Sequence, residues 1–369
     1  MRNTSITALA LCVAASTASA GGIDRSGQSI SPPFQDGNSA EIIFASAVPS
    51  VSGSVVGIQS GDMADAYWQF GAAMKQQINE RLGYAILLDQ PFGADVQYKG
   101  TTAYPLRGTN ATLDSTALTG VLRYRMDNGF GVHGGLRVQR VTANASVPTV
   151  RAYSVDGQAD YGTGYLAGVS YERPDIALRV ALTYNSKIKT EHRTSENLAL
   201  AATSLITTTT IETPQSVNLD FQTGIAQDTL LFGGIRWVDW SDFTIDPFLY
   251  RRATGSPCLS YADDTYTYTL GVGRRITDTW SGSLSLTYED GDSSKPVSNL
   301  GPTSGKIGVT LGARYKTDSF SVSTGVNYTW IGNATTNVPI AAGPPPVLAR
   351  TSFSDNTAIG FGVKVGWHY

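Results

Sequence analysis

The last residues of the chain, Ala358-Ile359-Gly360-Phe361-Gly362-Val363-Lys364-Val365-Gly366-Trp367-His368-Tyr369, decide the fold. Every second residue from Ile359 to Tyr369 is aliphatic or aromatic, and the residues between them are Gly, Lys or His. A period of two marks a β-strand, in which successive side chains point to opposite faces; a helix would space its apolar residues three and four apart. One face of this strand is wholly apolar. The same period returns in Phe320, Val322, Val326, Tyr328 and Trp330, and in Ile307, Val309, Leu311, Ala313 and Tyr315 against Lys306, Thr310, Arg314 and Lys316. Further upstream it runs through Tyr266–Val272, Val217–Ile225, Ile176–Tyr184, Phe130–Val138 and Leu118–Met126.

A soluble sandwich alternates too, so the connections carry the discrimination. Turn-forming residues stand at Asn79-Glu80, Asp127-Asn128-Gly129, Arg173-Pro174-Asp175, Gln227-Asp228, Thr277-Asp278 and Thr317-Asp318. Between them lie long polar or Gly/Pro-containing stretches near 57–64, 99–112, 143–160, 190–215, 241–263, 291–304 and 331–356. Six short and seven long links in alternation imply fourteen strands with all long loops at one end, the asymmetry of a transmembrane antiparallel β-barrel. In such a barrel the apolar face meets lipid and the polar face lines the interior, with Trp and Tyr, here Trp330, Trp367 and Tyr369, at the interfaces.

Composition agrees. Only 15% of the 369 residues are charged, 10% are aromatic and 39 are Gly; 27 basic residues against 30 acidic ones leave no electrostatic footprint for nucleic acid. No stretch after Ala20 is long and apolar enough for a membrane helix. Arg2, the apolar run Ile6–Ala15 and Ala18-Ser19-Ala20 read as an export signal cleaved before Gly21. Cys12 falls within that signal, which leaves Cys258 alone and rules out an internal disulfide in the mature chain. The expected organisation is thus a signal at 1–20, a short plug at 21–40 and an outer-membrane barrel at 41–369, all-β, with both termini periplasmic.

Several segments resemble a known family, the outer-membrane long-chain fatty acid and hydrocarbon transporters. "ALTYNSKIK" (Ala181–Lys189) is similar to that family's Tyr-x-Ser-x-x-Lys strand end. "TPQSVNLDF" (Thr213–Phe221) followed by "GGIRWVDWSDF" (Gly233–Phe243) resembles its Pro-x-x-Val strand and Trp-x-x-Trp-Ser-x-Phe segment. "YADDTYTYTLGVGRRITDTW" (Tyr261–Trp280) resembles the next hairpin, and "LLDQPFG" (Leu87–Gly93) an early strand running into a Pro-x-Gly loop. The resemblance implies a barrel closed by an N-terminal plug, hydrophobic substrates captured at extracellular loops, and a sideways exit through the wall. The chain departs from the family in its short plug, 21–40, where the Asn-Pro-Ala segment reads Asn38-Ser39-Ala40.

Two features bear on substrate. The stretches Leu198–Ile211 and Val338–Leu348 are nearly uncharged and apolar, so Leu198, Leu205, Ile206, Val338, Ile340, Val347 and Leu348 are expected to form capture loops. The interior is biased toward bases, and Arg179, Arg236 or Arg314 could hold a carboxylate by charge-assisted hydrogen bonds; equally, such bases could pair with acids of the plug region, Asp24, Asp36 and Glu41. Asp36, Asn38 and Ser39 are the expected plug residues. Catalysis and metals find little support. The string Gly129-Phe130-Gly131-Val132-His133-Gly134 runs from a hairpin turn into a strand, with no helix to cradle a pyrophosphate. The three His residues are scattered, and no Gly-x-Ser-x-Gly elbow occurs. The sequence therefore predicts a transporter of hydrophobic small molecules without cofactor, catalytic residues or metal. Its expected partners are outer-membrane lipid, lipopolysaccharide and the barrel assembly machinery, and it is expected to be a monomer. A diffusion porin is the alternative reading, and an outer-membrane lipid-modifying enzyme a remoter one.

Overall fold

The computed structural model describes residues 22–341 and 347–369; the export signal expected at 1–20 lies outside them, as do residues 342–346 of the second apolar stretch. Fourteen antiparallel strands form a closed barrel. They are β1 (Ser39–Ser50), β2 (Tyr67–Gln77), β3 (Leu82–Asp89 and Gly93–Gln97), β4 (Asn110–Arg125), β5 (Phe130–Val147), β6 (Tyr153–Arg173) and β7 (Leu178–Asn185 and Ile188–Leu198). The circuit continues with β8 (Thr203–Thr213 and Ser216–Ala226), β9 (Thr229–Val238), β10 (Thr265–Arg275), β11 (Trp280–Glu289), β12 (Lys306–Lys316), β13 (Phe320–Ile331) and β14 (Asn356–His368). β1 closes the circuit on β14 from Ser39↔His368 to Ser50↔Thr357.

The two faces are those of a membrane barrel. Leu122, Leu136, Val169, Leu270, Leu286, Leu311 and Phe361 are exposed on the outside. The inward positions between them bury Ser115, Thr119, Gln139, Thr183, Asn185, Ser323 and Asn327. A water-soluble barrel would invert this, since apolar side chains leave water and polar ones seek it. No described helix is long and apolar enough to cross a membrane.

Three expectations are corrected. Strand β1 begins at Ser39, so Ser39 and Ala40, expected in the plug, pair with His368 and Trp367 in the wall. The stretches 143–160 and 190–215, read as loops from their polarity, are largely strand. The upper halves of β7 and β8 form a ladder from Ile188↔Thr213 to Leu198↔Thr203. β-Branched Thr and Ile favour the ladder, and outside the hydrocarbon a strand need not present an apolar face. Thr190, His192, Thr194 and Glu196 turn inward and are buried, while Glu191 and Arg193 face out. Finally, Gln90-Pro91-Phe92 does not open a loop but breaks β3 in its middle.

At the long-loop end, Ala334–Ala341, Val347–Phe353, Gly53–Val55 and Ile58–Gln59 form a small second sheet. The link after β9 carries a helix, α1 (Phe248–Thr254), flanked by the short strands Thr244–Ile245 and Leu259–Ser260; Ile245 pairs with Ile211 of β8. At the opposite end the backbone N–H of Tyr369 donates to the carbonyl of Asn38 at 3.2 Å, so both ends of the wall sheet meet at the short turns.

Candidate functional site: a plugged lumen with an apolar crown and a break in the wall

Residues 22–38 cross the lumen, held by hydrogen bonds to opposite walls. Arg236 donates to Asp24 at 2.6 Å, to Asn218 at 2.7 Å and to Ser216 at 3.1 Å. Asn218 donates to the carbonyl of Gly27 at 3.0 Å, and Ser216 to Gln28 at 2.8 Å. Across the barrel, Ser26 donates to Asp89 at 2.6 Å and Arg25 to Asp95 at 2.6 Å, with the Arg25 guanidinium over the Tyr67 ring. Pro32–Phe34 make one 3-10 turn, which Pro permits because the first N–H groups of a turn are unpaired anyway. The Phe34 ring then lies 4.5 Å from the Arg123 guanidinium carbon and 5.1 Å from that of Arg179. A chain this short spans the lumen because few of its residues are coiled into helix.

Above the plug the lumen is filled with apolar side chains. Trp240, fully buried, meets Phe92, Phe243 and Tyr261 at centroid distances of 5.8, 5.3 and 5.2 Å. The cluster reaches from Ile23 of the plug through Met63, Leu113, Ile211 and Leu259 to Val338 and Phe353 of the second sheet. Within it a void of about 50 Å³ lies among Leu113, Ala145, Val155, Ile211, Leu259 and Leu300. Cys258 also lines it; burial pushes its thiol up to about 12, so the group is a neutral, apolar lining atom. Beside the void Glu196 is fully buried, accepting from the Tyr153 hydroxyl at 2.9 Å, from Thr207 at 2.7 Å and from the backbone N–H of Leu249 at 2.9 Å. This carboxylate ties α1 to the β7–β8 hairpin.

The third feature is in the wall. β2 and β3 pair only from Ala72↔Leu88 to Gln77↔Gly83. Higher up, β3 turns inward to the plug: the Pro91 carbonyl accepts the N–H of Arg25 at 2.8 Å, Gly93 donates to the carbonyl of Ile23 at 2.9 Å, and Phe92 is buried. Gly93 leaves room for the Arg25 guanidinium: a β-carbon there would lie 2.4 Å from it, and the arginine would have to move aside. The walls meet again only where the Asp65 N–H donates to the Asp95 carbonyl at 3.1 Å and Ala64 bridges Val96. Between these points Tyr67 and Trp68 have no ladder partner on β3. A cavity of about 100 Å³, lined by Ser29, Ile43, Gln69, Leu88 and Gln90, runs from the plug to this window.

The residues expected from sequence divide accordingly. Arg179 and Arg236 share one cavity of about 280 Å³ between the plug and the wall, whereas Arg314 lies outside that cavity, 3.5 Å from Ser321. Three further interior bases lie against acids: Arg123 with Glu172 at 2.6 Å, Lys306 with Glu289 at 3.4 Å and Lys364 with Glu41 at 3.7 Å. Asp36 is exposed in the vestibule at the short-turn end, and Asn38 accepts the N–H of Gln77 at 2.8 Å. Of the expected capture residues, Leu205, Ile206, Ile340, Val347 and Leu348 are exposed. Leu198 and Val338 are buried, the first against Tyr153 and Leu249, the second in the crown. Alternation alone cannot say what covers a residue beyond the barrel rim.

Sequence reasoning missed Arg25, Gln90, Glu196 and the inward role of Trp240. Only Gln90-Pro91 carried a signal, since proline inside an alternating run implies a missing ladder bond. No group of described residues is arranged to hold a metal ion.

The fold has well-defined counterparts. A Pseudomonas aeruginosa FadL homologue superposes with a TM-score of 0.77 at 14% identity, covering 96% of this chain and 97% of that one. The P. putida toluene transporter TodX superposes at 0.64 with 11% identity over 90% of both chains. The Ralstonia pickettii toluene transporter TbuX also gives 0.64, at 11% identity over 97% of each chain. No curated protein matches the sequence. The family model described as "Outer membrane protein transport protein (OMPP1/FadL/TodX)" matches residues 26–368, from the plug to the end of β14. With the whole barrel and most of the plug inside the match, the chain belongs to this family of outer-membrane transport proteins for hydrophobic compounds.

Proposed function

We propose that the protein carries long-chain fatty acids or related hydrocarbons across the outer membrane, with its long loops outside and both termini in the periplasm. Ligand enters among the exposed Leu205, Ile206, Ile340, Val347 and Leu348, sinks into the crown around Leu113 and Ile211, and leaves sideways between β2 and β3. The observation that carries this reading is the continuity of the apolar cluster from the second sheet down to Ile23 and Phe92, at the edge of the window. The polar plug network lies across the axial route below it. A hydrocarbon gains about 25 cal/mol for each Å² it removes from water, and that gain is available only on the sideways path.

Arg179 and Arg236 meet the carboxylate of an acid in the cavity they share; Arg236 exchanges Asp24 for the ligand as it does so. The toluene transporters among the structural neighbours support a neutral aromatic as the other ligand class. Uptake of a long-chain acid and of a neutral hydrocarbon by lipopolysaccharide-containing proteoliposomes separates the two. The triple substitution Arg179→Ala, Arg236→Ala, Arg314→Ala lowers acid uptake and spares the hydrocarbon. Unchanged acid uptake in that variant removes the arginines from the account.

A further inference from the structure

Where β2 and β3 part, a side chain takes the place of a ladder rung. The last backbone pair is Ala72↔Leu88, and the same register carried on by two residues would set Phe70 opposite Gln90. Instead of a backbone carbonyl, the Phe70 N–H meets Oε1 of Gln90 at 2.8 Å. The Gln90 carbonyl accepts from the Gln69 side-chain amide at 3.3 Å. The next residue, Pro91, has no N–H to offer a ladder, and its carbonyl is engaged by the N–H of Arg25. Gln90 is thus the last tie between the two strands below the window. Outside it stand the exposed rings of Phe44 and Phe70, with centroids 5.1 Å apart; inside it is the cavity lined by Ser29, Ile43 and Leu88.

We propose that the Gln90 side chain is the gate of the window, a residue that sets how readily an apolar ligand passes from the lumen to the bilayer. The proposal rests on the lateral-exit reading above. Closed, Gln90 satisfies a backbone N–H that would otherwise face hydrocarbon, where an unpaired amide is costly, so closure is the resting state. Displaced by an incoming chain, it frees the space between Phe70 and Pro91 without breaking any backbone rung. A neutral amide suits this position, because an apolar residue cannot replace the missing acceptor and a charged one would stand against lipid.

The test follows pyrene-dodecanoic acid entering lipopolysaccharide-containing proteoliposomes, with folding of each variant checked by heat-modifiable migration. Gln90→Ala raises the initial rate roughly three- to tenfold, the loss of about one ordinary hydrogen bond, and leaves ion conductance unchanged. A Phe70→Cys/Gln90→Cys pair joined by a short bis-maleimide lowers the rate to that of protein-free vesicles. Wild-type transport with both variants at the wild-type rate overturns the gate and leaves the transport reading standing. Wild-type protein that passes no probe overturns the transport reading and the gate together.

Discussion

Arg236 on β9 and Asp24 in the plug form an ion pair at 2.6 Å across 212 residues of sequence, with both side chains largely buried. The pair joins the wall to the plug. Removing one partner strands the other away from water, which costs about 3 kcal/mol. That cost falls on plug docking, since Asp24 meets the wall backbone only at an isolated bridge to Phe92. Asp24→Ala, which leaves the Arg236 bonds to Asn218 and Ser216 within the wall in place, is therefore expected to raise single-channel conductance in planar bilayers while the barrel unfolds at the wild-type temperature. A coincident fall in barrel stability would show that the plug and wall unfold as one unit.

Gly22 sits at φ +102° with its α-carbon against the Trp240 indole; a β-carbon there would lie 2.3 Å from Cε2. Gly22→Ala combines an unfavourable backbone region with steric overlap and is expected to cost docking about 1–3 kcal/mol. Trp240 fluorescence reports it: exposure of the indole shifts emission to the red. An unchanged spectrum and unchanged protease protection of the N-terminal segment would contradict the packing.

These residues show where sequence reasoning reaches its limit. The strand faces were legible because lipid imposes one rule on every outward position, and Leu311 or Phe361 obeys it regardless of its neighbours. Turns such as Asp127-Asn128-Gly129 were legible because their chemistry is local. The break at Gln90-Pro91-Phe92 depends on the plug, whose Arg25 takes the Pro91 carbonyl from more than sixty positions away. Trp240 stands, in sequence, only as part of the Trp-x-x-Trp-Ser-x-Phe segment; the fold turns it into the lumen. Leu198 and Val338 read as exposed for the same reason, since α1 and the second sheet cover them from a distance. Interior bases and their pairing with plug acids such as Asp24 were both legible as alternatives; that Asp24 pairs with Arg236, and that Arg179 shares the cavity beside it, needed the fold.

Cys258 gives a prediction in pH. Burial raises its thiol to about 12, with the Asp246 and Glu196 charges adding to the effect. A thiol in the unfolded chain ionises near about 8.5. The stabilisation from keeping it neutral is therefore full below that value and is lost progressively as pH rises from there through the folded value. Labelling by a maleimide at pH 7.5 is expected to be negligible in the folded protein and complete after denaturation. Unfolding midpoints should fall between pH 9 and 11 in wild type, and less so in Cys258→Ala. Fast labelling of the folded protein would place the thiol at the surface.

Filling the void tests the crown. Ala145→Leu adds volume where Leu113, Val155 and Leu259 already converge, at a cost of about 1–3 kcal/mol. It is expected to lower uptake of apolar ligands severalfold and to leave conductance unchanged, since the plug below is untouched. Uptake equal to wild type would move the route elsewhere.

The central claim is that apolar molecules pass while the axis stays shut. It is tested most directly by following pyrene-dodecanoic acid and a potassium-sensitive dye together in one population of lipopolysaccharide-containing proteoliposomes. The account predicts entry of the acid well above the protein-free rate with no potassium flux. Potassium flux with the acid excluded would contradict it.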